Sequence, residues 1–242
     1  MIEVRGLKKN FKNFEALKGI DFIVAKGEVL GLLGENGAGK TTTLRILATM
    51  LKPDGGTVKL NGKNVLDSAN EIRKEIGILF GGESGIYDRL TARENIVYYG
   101  ELNDMTKDEI DDRIKHLVKV FNMEEYIDRR AGKFSKGMKQ KVAIARSIVH
   151  NPSIMLFDEP TSGLDVGGAR IIQQFIETCK AEGKTVIFSS HSMAEVEKLC
   201  DRVAVIHKGK IVESGYLKEI KEKYDKNMED LFLELVGEGN EL

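Results

Sequence analysis

The sequence predicts an α/β fold: a parallel sheet packed with helices, preceded by hairpin-rich strands and interrupted by a helical insertion. Three patterns predict it. Strand-like runs alternate with helical ones after Asn151-Pro152, the order expected of a parallel sheet. "EVLGLLG" is almost wholly apolar, as a strand covered on both faces must be. Residues 91–150 then switch to helical periodicity.

The elements follow in order. "IEVRGL" and "IDFIVA" read as strands, and "TVKLNGKNVL" as a hairpin, because Asn61-Gly62 suits a type I′ turn. The first eighty residues thus read as strands and turns around one helix. In the insertion, Ile110, Ile114, Leu117 and Phe121 recur at helical spacing, with Asp111, Asp112, Lys115 and Lys119 on the other face. "SIMLFDE" returns to strand, "ARIIQQFIETCKAEG" to helix and "KTVIFSS" to strand. A short helix and the pair "RVAVI" and "KIVESG", turning at Lys208-Gly209, complete the sheet. The tail "LKEIKEKYDKNMEDLFLELVG" is helical in pattern. These readings place a core with its β subdomain at 1–90 and 151–215, the helical lobe at 91–150 and a helical tail at 216–242.

Composition narrows the function classes. The 242 residues are 41% hydrophobic and 31% charged, and 37 basic against 38 acidic residues leave a net charge of -1. No general attraction to nucleic acid follows from that balance. No apolar run approaches the ~20 residues needed to cross a bilayer, and the first residues lack the apolar segment of a signal peptide. An intracellular location is expected. The two cysteines, Cys179 and Cys200, form no C-x-x-C pair and read as reduced core thiols.

"GLLGENGAGKTTTLRIL" carries the most specific chemistry. Gly34, Gly39, Lys40 and Thr41 stand at the G-x-x-x-x-G-K-[ST] spacing between a buried strand and a helix, the context that a phosphate-binding loop requires. Glycines let the backbone curl, so that the N–H groups of residues 36–42 converge on phosphate oxygens at the positive end of the helix dipole. In this reading Glu35, Asn36, Gly37, Ala38 and Thr42 line the phosphates, Lys40 neutralises their charge and the Thr41 hydroxyl holds Mg2+. A metal site needs a carboxylate, and the strand "SIMLFDEP" ends in Asp158. Glu159 follows as the candidate general base, kept from helical geometry by Pro160. His191 ends "TVIFSSH", where ligands of open parallel sheets bind.

With these motifs in their order, the chain resembles the ATP-binding subunit of an ABC transporter over essentially its whole length. "FSKGMKQKVAIARSIVHNP" is similar to the family signature, Ser135 and Gly137 matching its serine and second glycine. "SGLD" resembles the family loop carrying Asp165, His191 matches the switch histidine, and Phe11 matches the aromatic that stacks on adenine. The resemblance implies a P-loop NTPase (RecA-like) core with an N-terminal antiparallel β subdomain and an inserted helical lobe. It also implies ATP and Mg2+ as cofactors, with catalysis by Glu159, His191 and Lys40. It further implies a head-to-tail homodimer in which Ser135 and Gly137 meet the ATP of the other subunit, with Asp165 a further nucleotide-binding residue. A separate multi-helix permease would hold the protein at the inner face of the cell membrane. "YDRLTAREN" and "MEDLFLELVG" are similar to subunits of small prokaryotic exporters, including the sodium-extruding type.

Two departures stand out. Lys136 and Met138 replace the signature's usual glycine and glutamine. In "LFGGESGIYD" the glutamine that the family aims at Mg2+ is missing; Gly81 or Gly82 holds its place, and Glu83 or water is left to complete the metal shell. Two other functions fit the same motifs: a cassette ATPase acting on ribosomes or DNA, and a nucleotide switch without useful hydrolysis. The first would carry a second cassette, a long insertion or a basic tract, and the chain has none of these.

Overall fold

The structure, a computed structural model, describes residues 1–80 and 85–237. Two sheets organise them. β1 (Ile2–Phe11), β2 (Phe14–Val24), β4 (Gly55–Leu60) and β5 (Lys63–Asn64) form a 4-stranded antiparallel sheet in the order β2-β1-β4-β5. The expected hairpin joins β4 to β5, with Asn61 at φ 49° and Gly62 at φ 81°. Two positive φ values are the requirement of a type I′ turn.

The second sheet is 6-stranded, in the order β10-β9-β3-β8-β7-β6. β3 (Val29–Leu33), β6 (Ile76–Leu79), β7 (Ile154–Asp158), β8 (Thr185–Ser190) and β9 (Arg202–His207) are parallel, and β10 (Lys210–Tyr216) adds an antiparallel edge. Every residue of β3, β7 and β8 is buried, which explains their continuous apolar runs. Alternate residues serve two cores. Val29, Leu33, Met155, Phe157, Val186 and Phe188 pack with the helical lobe, whereas Leu30, Leu32, Leu156 and Ile187 pack with the antiparallel sheet.

Helix α1 (Lys40–Leu47) leaves the phosphate loop, and α2 (Ala69–Glu75) precedes β6. The second of these corrects the expectation of one helix in this region. α2 has seven residues and buries only Ile72, so it shows no apolar stripe for periodicity to detect.

The inserted lobe contains α3 (Ala92–Leu102), α4 (Lys107–Phe121) and α5 (Lys136–Ser147). Thr91 and Thr106 begin α3 and α4 with reciprocal capping boxes to Glu94 and Glu109, satisfying backbone donors that the first turn leaves free. The stripe read from sequence on α4 is the buried one: Ile110, Ile114, Leu117 and Phe121. Each such side chain contributes about 1.5–3 kcal/mol on burial. Helix α6 (Val166–Ala181) meets this stripe through Phe175, whose ring lies 5.0 Å from that of Phe121.

After β8 come α7 (Met193–Leu199) and, following the edge hairpin, α8 (Leu217–Tyr224) and α9 (Met228–Gly237). Cys179 and Cys200 are free and buried. Burial pushes the Cys179 thiol up to about 12 and raises Cys200 as well, so both remain protonated and unreactive. Among the described residues, no helix is long and apolar enough to cross a membrane. Gly81, Gly82 and Glu83, where the missing glutamine was sought, lie outside the described residues.

Candidate functional site

The C-terminal ends of β3, β7 and β8 meet at one edge of the parallel sheet, and the charged residues follow from that geometry. β3 runs into the phosphate loop, whose first glycine is sterically required: a Cβ on Gly34 would collide with the carbonyl oxygen of Ile206 on β9. Gly39, at φ 117°, caps α1, and a Cβ there would lie 2.7 Å from Leu17 Cδ2. Only glycine lets the loop close against both neighbours.

Lys40 begins α1 and is buried, at 5% exposure. Its Nζ donates to the Gly34 carbonyl at 2.6 Å and the Glu35 carbonyl at 3.1 Å. The ammonium therefore lies inside the loop, bonded to backbone oxygens that phosphate oxygens can replace. Burial lowers its pKa below 10.5, partly offset by the negative charges of Glu159, Asp158 and Glu35. Such a group gains by acquiring an anion.

Thr41 Oγ1 donates to Asp158 Oδ2 at 2.7 Å. The two residues proposed from sequence to hold a metal are thus side by side, one from the loop and one from β7. Hydroxyl and carboxylate oxygens are the donors that a hard divalent cation takes, and few are needed because Mg2+ keeps much of its water and binds phosphate. The pair fits Mg2+.

Beyond Asp158 the chain turns sharply. Glu159 adopts φ 48°, a left-handed value that is uncommon for a non-glycine residue. Pro160 disfavours the right-handed helix, as the sequence predicted, and Ser189 holds the Glu159 amide in the turn that forms instead. The Glu159 amide donates to Ser189 Oγ at 2.9 Å and to the Ser189 carbonyl at 3.2 Å. Ser189 Oγ donates in turn to Asp158 Oδ1 at 2.6 Å. His191 follows two residues on, with Nδ1 3.6 Å from Glu159 Oε1 and its side chain 67% exposed.

A cavity of about 190 Å³ adjoins the loop, lined by Phe11, Phe14, Ala16, Glu35, Asn36, Gly37, Gly39, Lys40, Thr41, Thr42 and Glu159. Its lining combines two chemistries: the exposed rings of Phe11 and Phe14, and the phosphate loop with Lys40 and Glu159. Ala38 sits beneath the loop, buried, and borders an adjoining recess with Glu35, Asn36 and Gly37. A larger groove, about 850 Å³, lies at the opposite end of β3 between Lys26, Cys200 and Leu217 and contains none of the predicted site residues.

Ser135, Gly137 and Asp165 do not line this cavity. Ser135 caps α5, accepting from the Met138 amide at 3.2 Å, and Asp165 caps α6, accepting from Gly168 at 2.6 Å. Lys136 lies across Gly163, so the start of α5 touches the loop before α6. Gln140 reinforces that contact by donating to the Pro160 carbonyl at 2.9 Å.

Three contributors escaped the sequence reading. Ser189 and Phe14 are two. The third is Asn95, fully buried, which accepts from the Tyr87 amide and donates to the Tyr87 and Thr91 carbonyls. It fastens the loop entering the helical lobe. The sequence carried no clear signal for it, because Asn95 directly follows Arg93 and Glu94 in a polar run.

Known proteins resemble this chain in sequence and in fold. Residues 17–162 match the family model described as "ABC transporter". The chain is 49% identical over 211 residues to the ABC transporter ATP-binding protein NatA of Bacillus subtilis, covering 87% of this chain and 86% of that one. It is 36% identical over 214 residues to the Nod factor export ATP-binding protein I of Burkholderia lata, covering 88% and 70%. Among solved structures, it resembles the dimeric post-hydrolysis state of the ATP-binding cassette MJ0796 bound to ADP and Pi. The TM-score is 0.81 and the identity 26%, covering 90% of this chain and 99% of that one.

Proposed function

We propose a function from this premise: the chain belongs to the ABC transporter family, as an ATP-binding subunit with relatives in export systems. It is an ATPase. Within it we assign nucleotide binding to residues 1–90 and 151–215, signature and coupling functions to 91–150, and a helical tail to 216–242. The observation that carries the reading is the 2.7 Å bond from Thr41 to Asp158 beside the buried ammonium of Lys40. A triphosphate with its metal needs these three groups together.

Phe11 stacks on the adenine, while the amides of residues 36–42 and Lys40 bind the phosphates. Thr41 and Asp158 would hold Mg2+, which would supply positive charge to offset that of the phosphates. Glu159 accepts a proton from the attacking water and orients it in line with the leaving group. His191, near Glu159, donates a hydrogen bond to the γ-phosphate end as its bond breaks. Ser135, Gly137 and Asp165, which do not line their own cavity, serve a second copy of the chain. There the start of α5 supplies amides and helix dipole to the partner's nucleotide. ATP thus closes a head-to-tail dimer and phosphate release opens it.

The dimer drives a separate multi-helix permease, docked against the helical lobe at the inner face of the cell membrane, and the transport is export. Sodium is the cargo favoured by the resemblance of "YDRLTAREN" and "MEDLFLELVG" to subunits of sodium-extruding exporters. The test is affinity isolation from the native membrane after mild solubilisation, together with phosphate release from ATP. Recovery of a multi-helix membrane protein, with activity that requires Mg2+ and is lost in Lys40→Ala, is the expected result. Salt-sensitive sedimentation with ribosomes would replace the transport reading with the soluble one.

A further inference from the structure

We infer that Ser189 is a positioning residue that joins the metal-holding carboxylate to the general base. The inference rests on the assignment of Asp158 and Glu159 given above. β7 and β8 are in parallel register with Asp158 opposite Ser189, which brings the serine hydroxyl to the junction of the two acids. That hydroxyl has one proton and spends it on Asp158 Oδ1 at 2.6 Å. Its lone pairs then face the Glu159 amide, which donates to it at 2.9 Å. The polarity of the pair of bonds is therefore determined, because a carboxylate can only accept and an amide N–H can only donate.

Each bond has a separate consequence. Anchoring Oδ1 fixes the plane of the Asp158 carboxylate and leaves Oδ2 directed at Thr41. Groups that orient a metal's ligands in this way are worth about 10–100-fold in metal affinity or activity. Holding the Glu159 amide keeps that residue in its left-handed turn at φ 48°, and the turn determines where its carboxylate leaves the backbone. One hydroxyl thereby places both acids relative to each other. Ser190, the next residue on β8 and also buried, provides the contrast. Its hydroxyl donates to Glu195 and accepts from the Ser192 amide, touching neither acid.

The test uses the full chain and its Ser189→Ala and Ser190→Ala variants. Mn2+ binding is read by electron paramagnetic resonance with a non-hydrolysable ATP analogue, and turnover is titrated with Mg2+. Ser189→Ala is expected to weaken Mn2+ binding about 10-fold or more. It also raises the Mg2+ concentration for half-maximal turnover and lowers kcat, while metal-free nucleotide binding stays at the wild-type value. Ser190→Ala leaves the metal midpoints unchanged. Wild-type metal midpoints in Ser189→Ala, or an equal shift in Ser190→Ala, would overturn the role of Ser189. A wild-type chain without Mg2+-dependent ATP hydrolysis would overturn the nucleotide reading, and this inference with it.

Discussion

Thr41 donates its hydroxyl to Asp158 across 117 positions of sequence, at 2.7 Å. That bond ties the start of α1 to the end of β7, so the phosphate loop and the carboxylate strand meet before any ligand is added. The polar lining of the cavity is consequently preorganised, while the Phe11 and Phe14 rings are exposed. Three expectations follow from this contrast.

Glu159 is placed by backbone, not by a salt bridge to a fixed cation: its carboxylate faces His191 at 3.6 Å. Replacing it with glutamine preserves shape and removes the proton acceptor. Glu159→Gln is expected to lower kcat by about 10²–10⁴-fold while leaving the Kd for ATP within a few-fold of wild type, measured by phosphate release and nucleotide titration. Near-normal turnover would move the base elsewhere and revive the idea of a switch without hydrolysis.

Burial lowers the Lys40 pKa, and the bound triphosphate raises it again by adding negative charge. The complex therefore prefers the protonated amine more strongly than the free protein does. ATP affinity is expected to fall as pH rises through the depressed pKa of the free protein, below the ordinary 10.5. Over that window binding takes up a proton, visible as a dependence of calorimetric heat on buffer ionisation enthalpy. For folding the sign is opposite to that of a lysine gaining a partner. The desolvation cost is fully present below the folded pKa, and stability recovers as pH rises through it toward the unfolded value.

Phe11 is 45% exposed and lines the cavity. Removing a ring that stacks on a base costs about 1–3 kcal/mol. Phe11→Ala is expected to weaken ATP binding by about 5–150-fold without altering the affinity for inorganic triphosphate, which has no base. Equal losses for both ligands would show that the substitution damages the loop instead.

Thr91 tests the lobe independently of chemistry. Its side chain accepts from the Glu94 amide at 3.1 Å, and the Thr91 amide donates in return to the Glu94 carboxylate at 2.7 Å. Loss of such a cap costs about 1 kcal/mol. Thr91→Ala is expected to lower the urea midpoint without changing the m-value.

What could be read from sequence was what local pattern encodes. The phosphate loop is contiguous, so spacing and flanking elements identified it, and the α4 stripe is a face of one helix. Ser189 was invisible for the opposite reason. Its role exists only when β8 pairs with β7, and "TVIFSS" by itself is a strand end. Pro160 excluded one conformation for Glu159 but could not choose among the others, because the hydroxyl that holds its amide belongs to a residue 30 positions away. α2 was missed because one buried residue makes no periodicity. Ser135, Gly137 and Asp165 were recognised by resemblance, and in the single chain their visible work is confined to helix starts.

The central claim is that these helix starts complete a second copy's nucleotide site. Its most direct test is the sedimentation of Glu159→Gln with saturating ATP, alone and combined with Ser135→Arg. A dimer with ATP that reverts to monomer when Ser135 is replaced, nucleotide binding being retained, is the expected result. A chain that binds ATP and remains monomeric, or a dimer indifferent to Ser135, would contradict it.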